Sequence, residues 1–449
     1  MRKKAIITSG IILVLGIAPS RVCAKTWTLS DCISYALQHN ISLQKAAVTR
    51  QSANEDLLQS KAALLPSLSG STSQNVTYSP WPEVGSYTLA GDKVQSNVDK
   101  AYYNGSYGIN ASWTVWNGNR NHNQVKLNKL TADEAALDSA ITANSIEEQI
   151  AQLYVQILYS KDAVAVDEAT LATSKMNEER GKEFVKVGSM SKADLAQLTA
   201  QRAQDEYAVV QAQSSLRDYK RQLKQLLQIT SQEEFDVAMP ATTDAMATQT
   251  IPGVTTVYEA ALGHRPEIQR AGLAIKANDL QIKMAKAGKM PTVSLSAGLN
   301  TNTTTMSNNS WGTQLKNNFA LGGGVTLSVP IFDNRQTKTS VNKAILDRQT
   351  SELDLRDKQT TLYSTIENYW LQAVNNQAQY KSAKASTMSA QASYDLLTEQ
   401  FKQRLKNVVE LMDGKDKLLK AQQAELQAKY LAILNLNMLK FYQDGTLSK

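Results

Sequence analysis

Cysteine, histidine, phenylalanine and proline are all scarce in this chain of 449 residues, and each scarcity excludes something. The cysteines are Cys23 and Cys32 alone. If a leader is cut after Ala24, only Cys32 remains, no intramolecular disulfide can form, and stability must come from packing or assembly. The histidines are His39, His122 and His264, and no cysteine pair, phosphate loop or nucleophile motif accompanies them, so an enzyme or a cofactor site has little support. With 6 Phe and 9 Pro against abundant Ala, Gln, Asn, Ser, Thr and Lys, the composition suits long polar-faced helices better than one large core. Proline is absent between Pro82 and Pro240 and after Pro330, and Gly414 is the only glycine between Gly324 and Gly445. Little in those stretches would stop a helix.

The first 24 residues form a unit of their own. "MRKK" is a basic opening, "AIITSGIILVLGIA" an apolar stretch too short to span a bilayer comfortably, and "VCA" at 22–24 a small-residue cleavage site, the pattern of a secretory signal. An uncleaved anchor helix, or a lipid on Cys23, are the alternatives, and Ser20, Arg21 and Val22 make a poor lipoprotein signal. Removing Arg2, Lys3, Lys4 and Arg21 lowers the formal net charge from +7 to +3, which does not indicate a nucleic-acid binder.

What remains is written twice. At an offset of 225 residues, Ala36, Leu37 and His39 fall on Ala261, Leu262 and His264, and Lys61, Ala62 and Pro66 on Lys286, Ala287 and Pro291. The agreement without a gap predicts a two-fold internal repeat. His39 and His264 are counterparts within it, which favours a structural role at helix ends over catalysis or metal binding. At both prolines a helical run changes to the alternation of a strand, so Pro66 and Pro291 are read as helix-to-strand switches. "TVWNGNR" at 114–120 matches "PIFDNR" at 330–335, and each precedes a very long helical pattern. A helix over roughly 121–186 would reach about 100 Å and cannot fold alone. Ile150, Ile157, Val164 and Leu171, with Ile146 and Leu153 between, and Leu362, Ile366, Tyr369 and Ala373 in the second half, predict coiled-coil packing. Turns at 186–194 and 404–413 then send a second helix back.

The first repeat is thus 25–230, with strands near 67–80 and 102–116 and a helical hairpin near 120–228. The connector is 231–253. The second repeat is 254–440, with strands near 292–302 and 319–331 and a hairpin near 335–440, and a loosely ordered tail follows at 441–449. The strands alternate apolar residues, such as Tyr107, Ile109, Ala111, Trp113 and Val115, with Gly108, Asn110, Ser112 and Thr114. One such strand fits a half-buried soluble sheet as well as a membrane barrel. Four of them, with a secretory signal and aromatics at the ends (Tyr78, Trp81, Trp113, Trp116, Trp311), favour the barrel. Four strands cannot enclose a lumen, and an open edge is not tolerated in hydrocarbon, so several chains must share one barrel, and three copies give twelve strands.

These features resemble the TolC family of outer-membrane efflux channels. The carriers are Leu29, Ala36 and Asn40 in the opening helix, "LLPSLSG", its repeat "KMPTVSL", "VPIFDNR" and the duplicated hairpins. The resemblance implies a homotrimer with a twelve-stranded β-barrel (four strands per chain) among outer-membrane lipid and a long α-helical tunnel across the periplasm. It further implies docking to a periplasmic adaptor and an inner-membrane pump, export of drugs, small molecules or proteins, no cofactor and no catalysis. The family closes its periplasmic end with polar links and acidic residues at the hairpin tips. Carried over, the link is Lys406, the acidic ring Glu410 and Asp413, and the matching acid of the first tip Asp194. Three departures stand out: Glu in place of Asp at 410, Lys in place of Arg at 406, and Arg404 where a glycine is usual. A lysine cannot make the forked contact of an arginine, which weakens such a lock. Ser191 to Asp194 and Asn407 to Glu410 also have capping-box spacing, so helix capping is a second role open to the same acids. The loops near 79–101 and 303–318 are placed outside the cell. A periplasmic adaptor would show one hairpin flanked by compact β-domains, and a fibrous coiled coil no strand pairs.

Overall fold

The computed structural model describes residues 26–81, 87–90, 93–96, 100–230, 235–240 and 242–447. The expected leader lies outside them, as do parts of the 79–101 loop and of the connector. In chain order the elements are β1 (Thr26–Trp27), α1 (Leu29–His39), α2 (Ile41–Ala62), β2 (Ser67–Tyr78), β3 (Tyr87–Ala90), β4 (Lys93–Ser96), β5 (Ala101–Trp116), α3 (Arg120–Lys186) and α4 (Lys192–Leu226). There follow β6 (Asp236–Val237), α5 (Asp244–Ala247), α6 (Val254–His264), α7 (Pro266–Lys286), β7 (Thr292–Thr304), α8 (Trp311–Asn317), β8 (Ala320–Ser328), α9 (Gln336–Lys402) and α10 (Val408–Asp444).

The repeat is visible in the backbone. Helices α3 and α9 are each 67 residues long, and α1 and α6 each 11. Asn40 and Arg265, one repeat apart, sit between paired helices with nearly the same dihedrals, φ −66°, ψ 126° and φ −64°, ψ 124°. Just before them, the Nδ1 atoms of His39 and His264 lie 3.0 and 2.8 Å from the carbonyls of Tyr35 and Ala260. Each ring donates back to the carbonyl four residues earlier in its own last turn, a local tie at the helix end. Buried Asn40 accepts from the Ser42 amide at 2.8 Å and donates to the Leu226 carbonyl at 3.0 Å, tying the α1–α2 joint to the end of α4. Pro66 and Pro291 each stand one residue before a strand, β2 and β7.

Neither long helix stands alone, as its polar composition requires. Helix α3 is held at its start by α2, where Asn128 donates to the Asp56 carbonyl, and further along by α4, where Gln213 donates to Glu168. Helix α9 packs in the same way on α7 and α10, and α3 also touches α7 and α10, which joins the halves. Ile150 and Ile157 are fully buried in a cluster with Cys32, Ala36, Leu43, Leu223 and Val237. Burial of each such side chain stabilises by about 1.5–3 kcal/mol. Ile366 and Ala373 occupy the matching core of the second half, with Val257, Ala261 and Leu439.

The end of the chain differs from the loose tail expected at 441–449. Helix α10 continues to Asp444 and closes on Gly445 at φ 77°, a left-handed position suited to glycine. Phe441 and Tyr442 are buried, because the guanidinium of Arg265 lies 3.7 Å from the Tyr442 ring centre and 4.6 Å from that of Phe441. Two aromatic faces cover a cation that is itself only 2 % exposed.

Strands β2, β5, β7 and β8 form one antiparallel sheet in that order, so β2 and β8 are its edges. Among the described residues, no helix is long and apolar enough to cross a membrane.

Candidate functional site

Two regions carry the candidate chemistry, the hairpin tips at one end and the sheet at the other. Both tips have the same construction. Helix α3 gives way to α4, and α9 to α10, through turns at 187–191 and 403–407. In each, an amide reaches five residues back, Ser189 to the Phe184 carbonyl and Leu405 to that of Gln400, both at 2.8 Å. That bond needs a left-handed residue, which is Gly188 (φ 70°) in the first tip and Arg404 (φ 64°) in the second. Arg404 carries a strain that glycine would not, and its guanidinium lies 5.2 Å from the centre of the Phe184 ring, on the other tip. Phe184 and Phe401, with ring centres 6.2 Å apart, join Leu198, Val408 and Leu411 in an apolar cluster that binds the tips together.

The four acids and bases expected at a gate all lie here, and all four pair within their own hairpin tip, no more than four residues away. Asp194 is held by Ser191, which accepts from its amide at 3.0 Å and donates to its carboxylate at 2.8 Å. Glu410 completes a reciprocal capping box with Asn407 and accepts from Lys406 at 2.5 Å. The Lys406 hydrogen bond, helped by the Asn407 amide, holds the Glu410 carboxyl below the usual range. Asp413 pairs with Lys417 at 2.6 Å. Lys406 is thus brought to Glu410 and not across to Asp194. These pairs are exposed and one turn apart, an arrangement that contributes only about 0.3–0.5 kcal/mol each.

The sheet carries no charged side chain in any of its four strands. Register places Leu68, Ile109, Trp113, Leu295, Leu299, Leu321 and Val325 on one face and Ser67, Ser69, Asn110, Ser112, Ser296 and Asn300 on the other. Hydroxyls link strands on the polar face, Ser67 to Ser112 at 2.8 Å and Ser73 to Ser106 at 2.7 Å. Leu68, Leu321 and Val325 are 71–78 % exposed in the single chain, so a whole apolar face lies bare. A face of that size marks a contact with lipid or protein.

The model of the outer membrane efflux protein family matches residues 32–228 and 257–442, both repeats with their strands and hairpins. The chain belongs to the outer membrane efflux protein family. The outer membrane protein TolC of Vibrio cholerae is 23% identical over 439 residues, covering 97% of this chain and 94% of that protein. The outer membrane channel VceC of V. cholerae superposes with a TM-score of 0.74 at 19% identity, covering 92% of this chain and 95% of its own. The CmeC outer membrane channel of Campylobacter jejuni does so at 0.76 and 18%, covering 93% and 86%. This efflux protein therefore has the TolC-like fold, a helical tunnel body with a strand domain, and resides in the outer membrane. Its family is one of channels, which removes the adaptor and fibrous alternatives.

One part of this efflux channel escaped the sequence reading. Behind the tips, Lys415 of α10 lies 5 % exposed between α3 and α4. Its ammonium is 2.5 Å from Asp205 Oδ2 and 3.1 Å from Ser174 Oγ. Ser174 also donates to Asp205 Oδ2, and Gln201 donates to Oδ1 at 3.1 Å. Every oxygen of the buried carboxylate is matched. The ion pair joins α10 to α4, and so one hairpin to the other. A signal existed: Val408, Leu411, Lys415 and Leu418 are spaced 3-4-3, which puts a lysine in a core position.

Proposed function

We propose that three copies of this chain close a single twelve-stranded barrel in the outer membrane and extend it into the periplasm as a helical tunnel. The observation that carries this is the pair of free edges. Among the described residues, strands β2 and β8 each have a partner on one side only, their apolar faces are exposed, and neither has a charge, a proline or a helix covering its edge. Unpaired backbone costs several kcal/mol per group in hydrocarbon, so β8 of one copy pairs with β2 of the next. From Trp113 to Tyr103 along β5, ten residues at a tilt near 40° give about 25 Å, the height of an outer-membrane apolar band.

The tips then form the periplasmic entrance. Glu410 and Asp413 of three copies gather near the axis, narrow the opening and attract cations, while Asp194 and Lys406 order the turns beside them. A periplasmic adaptor docks on this end and an inner-membrane pump supplies the cargo. Chemistry on the cargo has no part in this role, and no cofactor is required.

Light scattering of mature chain extracted from outer membranes, with detergent subtracted, tests the shared barrel. Three chains per particle are expected. A stable monomer, or a chain soluble without detergent, would sink it.

A further inference from the structure

Between Met290 and Phe332 the sequence contains one charged residue, Lys316. It lies in the last turn of α8, a seven-residue helix within the 303–318 loop. This helix is fastened to the apolar face of the sheet. Thr301 Oγ1 donates to the Leu315 carbonyl at 2.8 Å, the Thr304 amide to Gln314 Oε1 at 2.7 Å, and Asn318 to the Asn302 carbonyl at 2.7 Å. Trp311 stacks at 6.0 Å on Tyr103 and meets Tyr107 edge-on at 6.2 Å. Both tyrosines share the face of Ile109 and Trp113 by register. Strand β5 runs inward from Ala101, so this cluster stands at the extracellular end of the lipid-facing wall.

Directly below, toward the middle of the membrane, lies an open groove of about 390 Å³ lined by Gly70, Thr72, Tyr107, Ile109, Leu299 and Phe319. Tyr107 and Thr301 belong to both features, so helix and groove adjoin. A cation and an indole at headgroup level above an apolar channel at acyl-chain level are the two halves of a lipid seat. We infer that each chain holds one phosphate-bearing lipid of the outer leaflet, its headgroup at Lys316 and Trp311 and an acyl chain in the groove beneath Tyr107. The occupant is lipid and not free phosphate, because a single lysine would hold a free anion poorly, whereas the groove adds apolar area in line with it. Continuity with the membrane-facing wall gives the lipid its direction.

The inference rests on the apolar face meeting lipid. The experiment is native mass spectrometry of detergent-purified protein stripped of lipid and titrated with lipid A, with a phosphate-free dialkyl glycoside of matched chain length and inorganic phosphate as further arms. Wild type should bind up to one lipid A per chain and the glycoside more weakly, with inorganic phosphate failing to displace it. Lys316→Gln should weaken binding about fivefold, the effect of one cation at an anionic lipid surface, and Lys316→Arg should keep it. Gly70→Leu fills the groove, and since a Cβ there meets nothing within 4 Å the variant should assemble and bind less. Equal binding by wild type, Lys316→Gln and Gly70→Leu, or by lipid A and the glycoside, would overturn the inference. Displacement by inorganic phosphate would also overturn it, reducing the site to an anion contact. The same spectra count chains, so a failure of the trimer is seen separately from a failure of the lipid.

Discussion

Replacing Lys415 by methionine keeps the length and apolar stem of the side chain and removes only its charge. Asp205, about 5 % exposed, would then keep Ser174 and Gln201 but lose its counter-ion. Removing one member of a buried ion pair costs about 3–5 kcal/mol, most of it the desolvation of the partner left behind. Because Lys415 lies on α10 and Asp205 on α4, the loss falls on the contact between hairpins and not on either hairpin by itself. Amide hydrogen exchange of the detergent-solubilised protein is the assay. Amides of α4 near Asp205 and of α10 near Lys415 should exchange roughly 10²- to 10⁴-fold faster in Lys415→Met, while amides around Ile150 and Ile366 should not change. Adding Asp205→Leu should restore protection to wild type or beyond, since a well-packed apolar pair replaces a buried ionic one at no loss. Protection in Lys415→Met within a factor of ten of wild type, or a double variant no better than the single one, would refute the view that this pair holds the hairpins together.

The combined Glu410→Ala and Asp413→Ala variant should raise the closed-state conductance of channels in planar bilayers and lower their cation preference; unchanged conductance would remove both residues from the gate. Arg404→Gly relieves a left-handed residue worth about 1 kcal/mol but loses the contact with Phe184, worth about 0.5–1 kcal/mol, so thermal stability should move by less than about 1 kcal/mol, whereas Gly188→Ala, with nothing to offset its φ of 70°, should destabilise the first tip by about 1 kcal/mol. Asp244 in the connector is held down to about 2 by its hydrogen bonds from Lys384 and then Tyr380. A depressed acid stabilises the fold fully above its unfolded pKa of about 3.9 and loses that contribution as pH falls toward the folded value. Protease resistance of the connector should therefore drop between about pH 4 and pH 2 in wild type, and Asp244→Asn should be equally sensitive throughout; identical profiles would refute the assignment.

The repeat, the two strand pairs and the hairpins could be read because each is a local pattern, a period of two or of seven, printed twice. The turn and cap at each hairpin tip could be located because they too are local: Asn407 and Glu410 announce their bond by spacing, whereas the gate role proposed for the tip acids came from the family resemblance alone. What could not be read depends on which helices meet. Ser160, Asp167, Ser174 and Lys415 all fall on apolar seams, and all are buried. Periodicity shows that they face a neighbour, but only the docking of one hairpin on the other reveals that Lys415 faces Asp205. The chain end was misjudged for the same reason. "FYQDG" looks like a fraying terminus until Arg265, far away in the chain, supplies the cation on which both rings lie. The left-handed φ of Arg404 was hinted at by the missing glycine, yet its contact with Phe184 belongs to the other tip and left no mark in the local sequence.

The equal length of α3 and α9 acts as a ruler. Both measure 67 residues between their left-handed starts at Asn119 and Arg335 and turns of one design. A heptad inserted in one alone would keep that helix's apolar period and still carry its tip about 10 Å past the other. Phe184 would leave Phe401, Lys415 would leave Asp205, and the end of the tube would become a staircase. The depth of this tunnel can therefore change only in paired steps, the same number of turns added to both halves of the gene, and a natural or designed variant that lengthens one repeat must lengthen its twin.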